Sequence, residues 1–228
     1  GRVAAGVELA AAAEYRGAEA EGGGVTEGAD RLDANQWAVR SIPLSVAQDL
    51  VRMHHYAKGG ANTGVFVHGL ICKATDEVHG VAWWLPPTRV ACESVNRDNW
   101  RGVLSLTRMV ITPGTPKNAC SFLLARSVKL IRNDGRFVTL VTWADEGEGH
   151  TGGVYRAANW TYLGANTGDE RWVDPSTGRH VAKKSAGKSR TVSEMQALGY
   201  VRTGRTKKHK FVLNIRPVPV RAAIKRAA

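Results

Sequence analysis

The middle of this chain sets the strongest limit on its fold, because strand, tight turn, helix and strand follow one another there without interruption. Val103–Ile111 is apolar on both alternating faces except at Arg108, the pattern of a strand covered on both sides and therefore central in its sheet. Thr112-Pro113-Gly114 is a turn, Thr115 a candidate helix cap and Pro116 a suitable first helical residue. Phe122, Leu123, Leu124, Val128 and Ile131 then recur at helical spacing, and Phe137–Trp143 reads as a second apolar strand. This order predicts an α/β fold with no internal repeat.

The flanking sequence extends that core. Leu44, Ala47, Val51 and His54 predict a helix from about 43 to 55, ended by Gly59-Gly60. Val65–Cys72 and Val78–Leu85 predict a hairpin turning at Thr75-Asp76-Glu77. Beyond the core, a short helical pattern spans Val154–Asn159, and Asp174-Pro175-Ser176-Thr177-Gly178 is a turn between polar strands. Thr191–Leu198 reads as a helix stopped by Gly199, and Phe211–Ile215 as a closing strand. With 228 residues, one large domain with appendages is expected: a flexible Ala/Gly/Glu-rich arm over 1–35, a catalytic-sized domain over 36–216, and a basic tail over 217–228.

Charge is unevenly placed. The chain carries 32 Lys and Arg against 20 Asp and Glu, net +12. Residues 1–35 hold three basic and seven acidic residues, net −4, whereas residues 179–228 hold fourteen Lys and Arg against the single acid Glu194, net +13. Such a basic end points to a polyanionic partner, nucleic acid before anionic membrane, with a solvated tail as the alternative. Three dispersed cysteines, Cys72, Cys92 and Cys120, form neither a disulfide framework nor a zinc signature, which fits a reducing cytoplasm. No apolar run approaches the ~20 residues of a membrane span, and no secretory signal is apparent.

Four constellations carry candidate chemistry. The start of the 116–132 helix presents N–H groups and a positive dipole to an anion, supplemented by Lys117, Asn118 and Ser121. The loop after the second apolar strand holds Asp145 and His150, candidate acid, base or metal ligands, and leads into Tyr155, a candidate proton donor. His54-His55-Tyr56 ends the first helix: His54 continues the apolar stripe, and His55 is a candidate for proton transfer or, with Asp145 and His150, for a metal. Finally Arg205, Lys207, Lys208 and Lys210, with Arg202, suit DNA phosphates. Trp83, Trp84, Trp100 and Trp160 are candidates to stack on a displaced base, with core packing expected for at least two.

Taken in order, the central strand, anion-facing helix, next strand and Tyr155-Arg-Ala-Ala-Asn-Trp160 resemble the acyl-CoA core of the GNAT acyltransferase superfamily. More specifically, His54-His55-Tyr56-Ala-Lys58, Leu106-Thr-Arg108-Met, Pro116-Lys-Asn-Ala-Cys-Ser121-Phe-Leu, Trp143-Ala-Asp145 with His150 and Tyr155, and Lys208-His209-Lys-Phe resemble the phage Mom DNA-modification family, from about 37 to 215. Trp143 stands where members often have Tyr, and the glycine-rich pyrophosphate loop of typical GNAT enzymes is missing, itself a Mom-like trait. The resemblance implies a GNAT-like mixed, mostly antiparallel twisted sheet flanked by helices. It implies an enzyme that modifies adenine N6 in phage DNA with a methylcarbamoyl-type group and so blocks restriction, working in the cytoplasm of the infected bacterial host. Acetyl-CoA is the implied donor, iron a candidate further cofactor, and a homodimer a candidate assembly. By the same resemblance Arg108, Ser121, Asp145 and Tyr155 are the acyl-CoA and catalytic positions. Two other classes fit the residues: an acetyltransferase for a protein or small-molecule amine, and a non-enzymatic DNA-binding protein.

Overall fold

The computed structural model describes residues 31–216 except 182, 186 and 187; of the expected arm over 1–35, residues 1–30 lie outside the described residues, as does the basic tail over 217–228, while residues 31–35 include Leu32, whose N–H donates to Lys117 O at 3.0 Å. The chain divides into two units. Of the described residues, the larger contains 31–142, 152–162 and 211–216, and the smaller 143–151 and 163–210.

In the larger unit, β1 (Trp37–Ser41), β2 (Phe66–Cys72), β3 (Val78–Leu85), β4 (Val103–Ile111) and β5 (Thr139–Asp145) are neighbours in that order, followed by the C-terminal end of β10 (Val201–Asn214). The pairs β1/β2, β2/β3 and β3/β4 are antiparallel and β4/β5 is parallel. Helices α1 (Leu44–His54) and α3 (Ala119–Asp134) bracket this sheet, and the short α2 (Arg89–Glu93) and α4 (Gly153–Ala157) complete the unit. The expected mixed, mostly antiparallel sheet flanked by helices is thus observed.

The continuous apolar reading of β3 and β4 has a direct cause. Successive side chains of a strand point to opposite faces, and both faces here are covered. Trp83 and Val81 pack with Ala47, Leu50 and Val51 of α1. Trp84 instead meets α3, where its indole N–H donates to Ser127 Oγ at 2.7 Å. Ser127 Oγ also lies 2.7 Å from His68 Nδ1. A hydroxyl oxygen can accept twice, so Ser127 bridges the two buried rings with either His68 tautomer. His68 is buried, and burial lowers its pKa to about 4.

β1 carried no clear signal in the sequence: its five residues run buried at Trp37 to exposed at Ser41, and only the ladder to β2, Trp37↔Cys72 through Ser41↔His68, makes them a strand. At the other end of the unit Ile215 N–H donates to Val138 O at 2.8 Å and Thr139 Oγ1 to Asn214 Oδ1 at 3.0 Å, so the closing strand lies beside β5.

The smaller unit holds the remainder of β10 beside β6 (Thr161–Val173), which pairs with β7 (His180–Val181), together with a short ladder of β8 (Lys184–Ser185) and β9 (Lys188–Ser189). Its helix α5 (Val192–Ala197) starts with a reciprocal cap: Thr191 Oγ1 accepts from Glu194 N–H at 3.2 Å and Glu194 Oε2 accepts from Thr191 N–H at 2.6 Å. A six-residue helix cannot persist on propensity alone, so Thr191→Ala is expected to cost about 1 kcal/mol, measured as a lower urea midpoint.

Candidate active site

The site is built where β4 and β5 part. Their parallel ladder runs only from Val103↔Thr139 to Ser105↔Val141. Thr142 then spends its hydroxyl on the Leu106 carbonyl at 3.1 Å, occupying an acceptor that a continuing ladder would use. On the opposite side of β4 the register shifts at the same level, Trp83↔Arg108 being followed by Trp84↔Leu106. Thr107 is the extra residue of this bulge, and its hydroxyl donates to Trp83 O at 3.0 Å. A bulge re-aims backbone groups that a regular ladder would consume, so the central strand is irregular just where it leaves its parallel partner.

The turn from β4 into α3 differs in detail from expectation. Thr115 does not cap the helix; its Oγ1 donates to Thr112 O at 2.8 Å, within the turn. The helix starts three residues after Pro116, at Ala119, and its N-cap is Asn118 in the left-handed region at φ 67°, a conformation asparagine tolerates better than most residues. Asn118 makes no side-chain cap bond, Ser121 Oγ donates back to Asn118 O at 3.0 Å, and Lys117 is exposed while its carbonyl accepts from Leu32 N–H at 3.0 Å. Lys117, Asn118 and Ser121 therefore share one helix start, whose first-turn N–H groups lack helical partners by geometry.

Arg108 leaves β4 toward the segment after α1, donating Nε–H to Gly59 O at 2.8 Å and Nη1–H to Thr107 O at 2.6 Å. Burial lowers its pKa while Tyr56 opposes the shift. A guanidinium stays charged even so. The sequence expectation for the paired histidines is reversed: His54 is half-buried and His55 is buried, with its Nδ1 accepting from Ala57 N–H at 3.0 Å and its ring 4.3 Å from that of Tyr56. With Nδ1 occupied as an acceptor, the neutral ring carries its proton on Nε2. His55 is therefore poorly set up as a metal ligand.

Tyr155 sits on α4, which Gly152 introduces at φ 84°. A Cβ at Gly152 would lie 2.3 Å from the Phe211 ring, so both conformation and contact demand glycine there. The Tyr155 ring is buried between Phe211 at 5.4 Å and Trp160 at 5.6 Å, and Trp160 in turn stacks on Trp84 at 6.5 Å. Trp83, Trp84 and Trp160 are all core, which removes them from the expected base-stacking group; Trp100 alone of the four is partly exposed, between the guanidinium groups of Arg101 at 4.5 Å and Arg89 at 5.2 Å. The Trp160 indole N–H is buried with no hydrogen-bond partner.

Asp145 and His150 belong to the smaller unit. Asp145 Oδ1 accepts from Gly147 N–H at 3.0 Å and Thr206 Oγ1–H at 3.1 Å, capping a single 3-10 turn, and its carbonyl accepts from His150 N–H at 3.1 Å. The neighbouring Glu148 pairs with Arg171. Among the described residues no three His, Cys, Asp or Glu side chains converge to hold a metal ion, so the expected iron site of His55, Asp145 and His150 finds no support there. Of the expected DNA contacts, Arg205 and Lys207 are exposed and Lys208 half-buried, while Lys210 is half-buried with its pKa lowered by burial. No helix among the described residues is long and apolar enough to cross a membrane.

A mixed sheet whose two parallel strands part beside a helix start is the fold of the GNAT acyltransferases. A solved GNAT superfamily phosphinothricin acetyltransferase from Sinorhizobium meliloti, in complex with AcCoA, is similar over 81% of this chain and 95% of that one, at 12% identity and a TM-score of 0.50. The sequence family is shown separately. The model of the Mom protein family matches residues 36–223, and the chain belongs to that family. The methylcarbamoylase Mom of Escherichia phage Mu is 30% identical over 135 residues, covering 56% of this chain and 54% of that protein. The chain thus matches about half the length of this curated relative.

Proposed function

We propose that this protein modifies DNA, transferring an acyl-derived group from acetyl-CoA to the N6 of adenine. The observation that carries the reading is the parting of β4 from β5 at the Thr107 bulge, in a chain of the Mom family. Where β4 and β5 cease to pair is where an extended thioester ligand would lie, and the start of α3 follows the same strand. Acetyl-CoA supplies the activated acyl group when bound. Lys117 and Asn118 would hold its phosphates with the first-turn N–H groups of α3, and Ser121, whose proton is engaged by Asn118, would serve as a positioning group. Arg108 would supply a fixed positive charge beside the bulge.

Adenine N6 is a weak nucleophile because its lone pair is delocalised into the ring. In the acyl step the carbonyl–sulfur bond breaks as the carbonyl–nitrogen bond forms, and N6 loses a proton while the thiolate gains one. Tyr155 is the proposed donor to the leaving sulfur, and the proton lost by N6 passes to water; His55 is ill-suited to take it because its Nδ1 already accepts from Ala57 N–H. A methylcarbamoyl group contains one nitrogen more than acetyl, so simple acyl transfer from acetyl-CoA does not by itself yield it. Because N6 is paired in a duplex, the base must first be extruded, at a cost of a few kcal/mol.

The test is direct: purified protein is given DNA and acetyl-CoA labelled in its acetyl carbons, and the DNA is recovered free of cofactor. Label retained on DNA supports the reading; thiol release with amine acceptors but none with DNA overturns it. A second expectation concerns affinity. Lys207→Gln and Lys208→Gln should each lower the slope of log affinity against log salt by roughly 0.9, and Lys210→Gln by less because that amine is partly buried.

A further inference from the structure

The smaller unit gathers three cations on one carboxylate. Glu170 Oε1 accepts from Arg202 Nη1 at 3.0 Å and from Arg205 Nη2 at 3.4 Å, and Lys183 Nζ lies 3.7 Å from Glu170 Oε2. The carboxylate side chain is only 11% exposed, whereas those of Arg202 and Arg205 are 58% and 57% exposed. Burial raises the pKa of Glu170, but the Arg205 hydrogen bond and the charges of Arg202, Lys183 and Arg205 outweigh it, so the group is ionised. Three positive charges and one negative leave the cluster at net +2. Each guanidinium has five N–H donors and spends one on Glu170, so donors remain for an incoming oxyanion.

The convergence of Arg202 and Arg205 is not what a regular strand provides. Residues three apart on an extended strand point to opposite faces. Between them stands Gly204 at φ 115°, a backbone conformation that L-residues rarely adopt and that interrupts the regular alternation of an extended strand. Thr203 Oγ1 donates to Arg171 O at 3.4 Å, holding the same stretch against β6. The two arginines are thereby brought to one carboxylate, with their remaining donors toward solvent.

We propose that Lys183, Arg202 and Arg205, assembled on Glu170, form a seat for a single phosphodiester group of DNA. The proposal rests on the DNA reading above and adds to it: Glu170 is a positioning residue that holds like charges together before DNA arrives, and the two arginines grip one phosphate in concert. The salt dependence of binding tests this, because the slope of log affinity against log salt counts phosphates neutralised, at about 0.9 each. Wild type and an Arg202→Gln/Arg205→Gln double variant, matched for thermal unfolding, are titrated with a fluorescent DNA duplex over a range of salt. The seat predicts that the double variant loses about 0.9 of slope, one phosphate for two arginines, with coenzyme A binding unchanged. A loss of about twice that would mean two separate phosphate contacts and would overturn the shared seat. An unchanged slope with normal wild-type binding would overturn the seat and leave the DNA reading standing. Loss of coenzyme A affinity with the slope unmoved would assign the cluster to the cofactor's phosphates instead. If the wild type itself shows no salt-dependent binding, the DNA reading and the seat fail together. Lys183→Gln offers a second variant, expected to weaken binding several-fold at low salt while the double variant's deficit is not deepened further.

Discussion

Tyr155→Phe is expected to reduce labelling of DNA by acetyl-CoA about a hundredfold or more, the range for losing a positioned proton donor. The substitution keeps the ring that packs between Phe211 and Trp160, so stability should stay within about 1 kcal/mol of wild type. The effect should fall on turnover rather than on coenzyme A affinity, because Lys117, Asn118 and Arg108 are untouched. Single-turnover assays with saturating acetyl-CoA separate the two. A variant with full turnover would remove Tyr155 from the chemistry and leave it as a core residue of the aromatic cluster.

The second large effect is on stability in mild acid. His68 is held neutral in the core, where its Nδ1 shares a hydrogen bond with Ser127, which also accepts from Trp84. Its pKa of about 4 in the folded state lies below the ordinary value of 6.5, so between these values the unfolded chain binds the proton and the folded chain does not. Stability is therefore fully present above pH 6.5, falls as pH drops toward 4, and levels off below that, for a total of about 3 kcal/mol. Urea unfolding at about pH 7 and about pH 5 should differ by roughly 2 kcal/mol from this residue alone. His68→Asn should be less stable at neutral pH and lose most of that pH dependence; an equal dependence in both proteins would place the titrating group elsewhere.

Much of the scaffold was readable because burial on both faces writes itself into β3 and β4 as mostly apolar runs. Helix α1, the β2/β3 hairpin and α3 fell close to their expected limits for the same reason. The start of α3 was misplaced since Thr115 and Pro116 look like a cap and a first helical residue, whereas Asn118 in the left-handed region does the turning. β1 was missed because its pattern is set by the neighbour it pairs with rather than by its own five residues.

The site was less legible. Family motifs pointed to Arg108, Ser121, Asp145 and Tyr155, but a motif does not say which nitrogen of His55 faces a backbone N–H, nor that Asp145 caps a turn. The bulge at Thr107 depends on the register of β3 against β4, which no local pattern encodes. Likewise the basic composition of β10 was plain, yet the gathering of Arg202 and Arg205 depends on a single positive φ at Gly204. The Gly152-Gly153 pair was the one local sign of the close approach to Phe211.

The account stands or falls on what happens to adenine. DNA from bacteria producing the soluble protein, digested completely to nucleosides and resolved by mass spectrometry, should contain a deoxyadenosine carrying an added carbonyl-containing group, and cells producing Tyr155→Phe should contain little of it. Only the four ordinary deoxynucleosides, from cells in which the protein is folded and acetyl-CoA abundant, would contradict it.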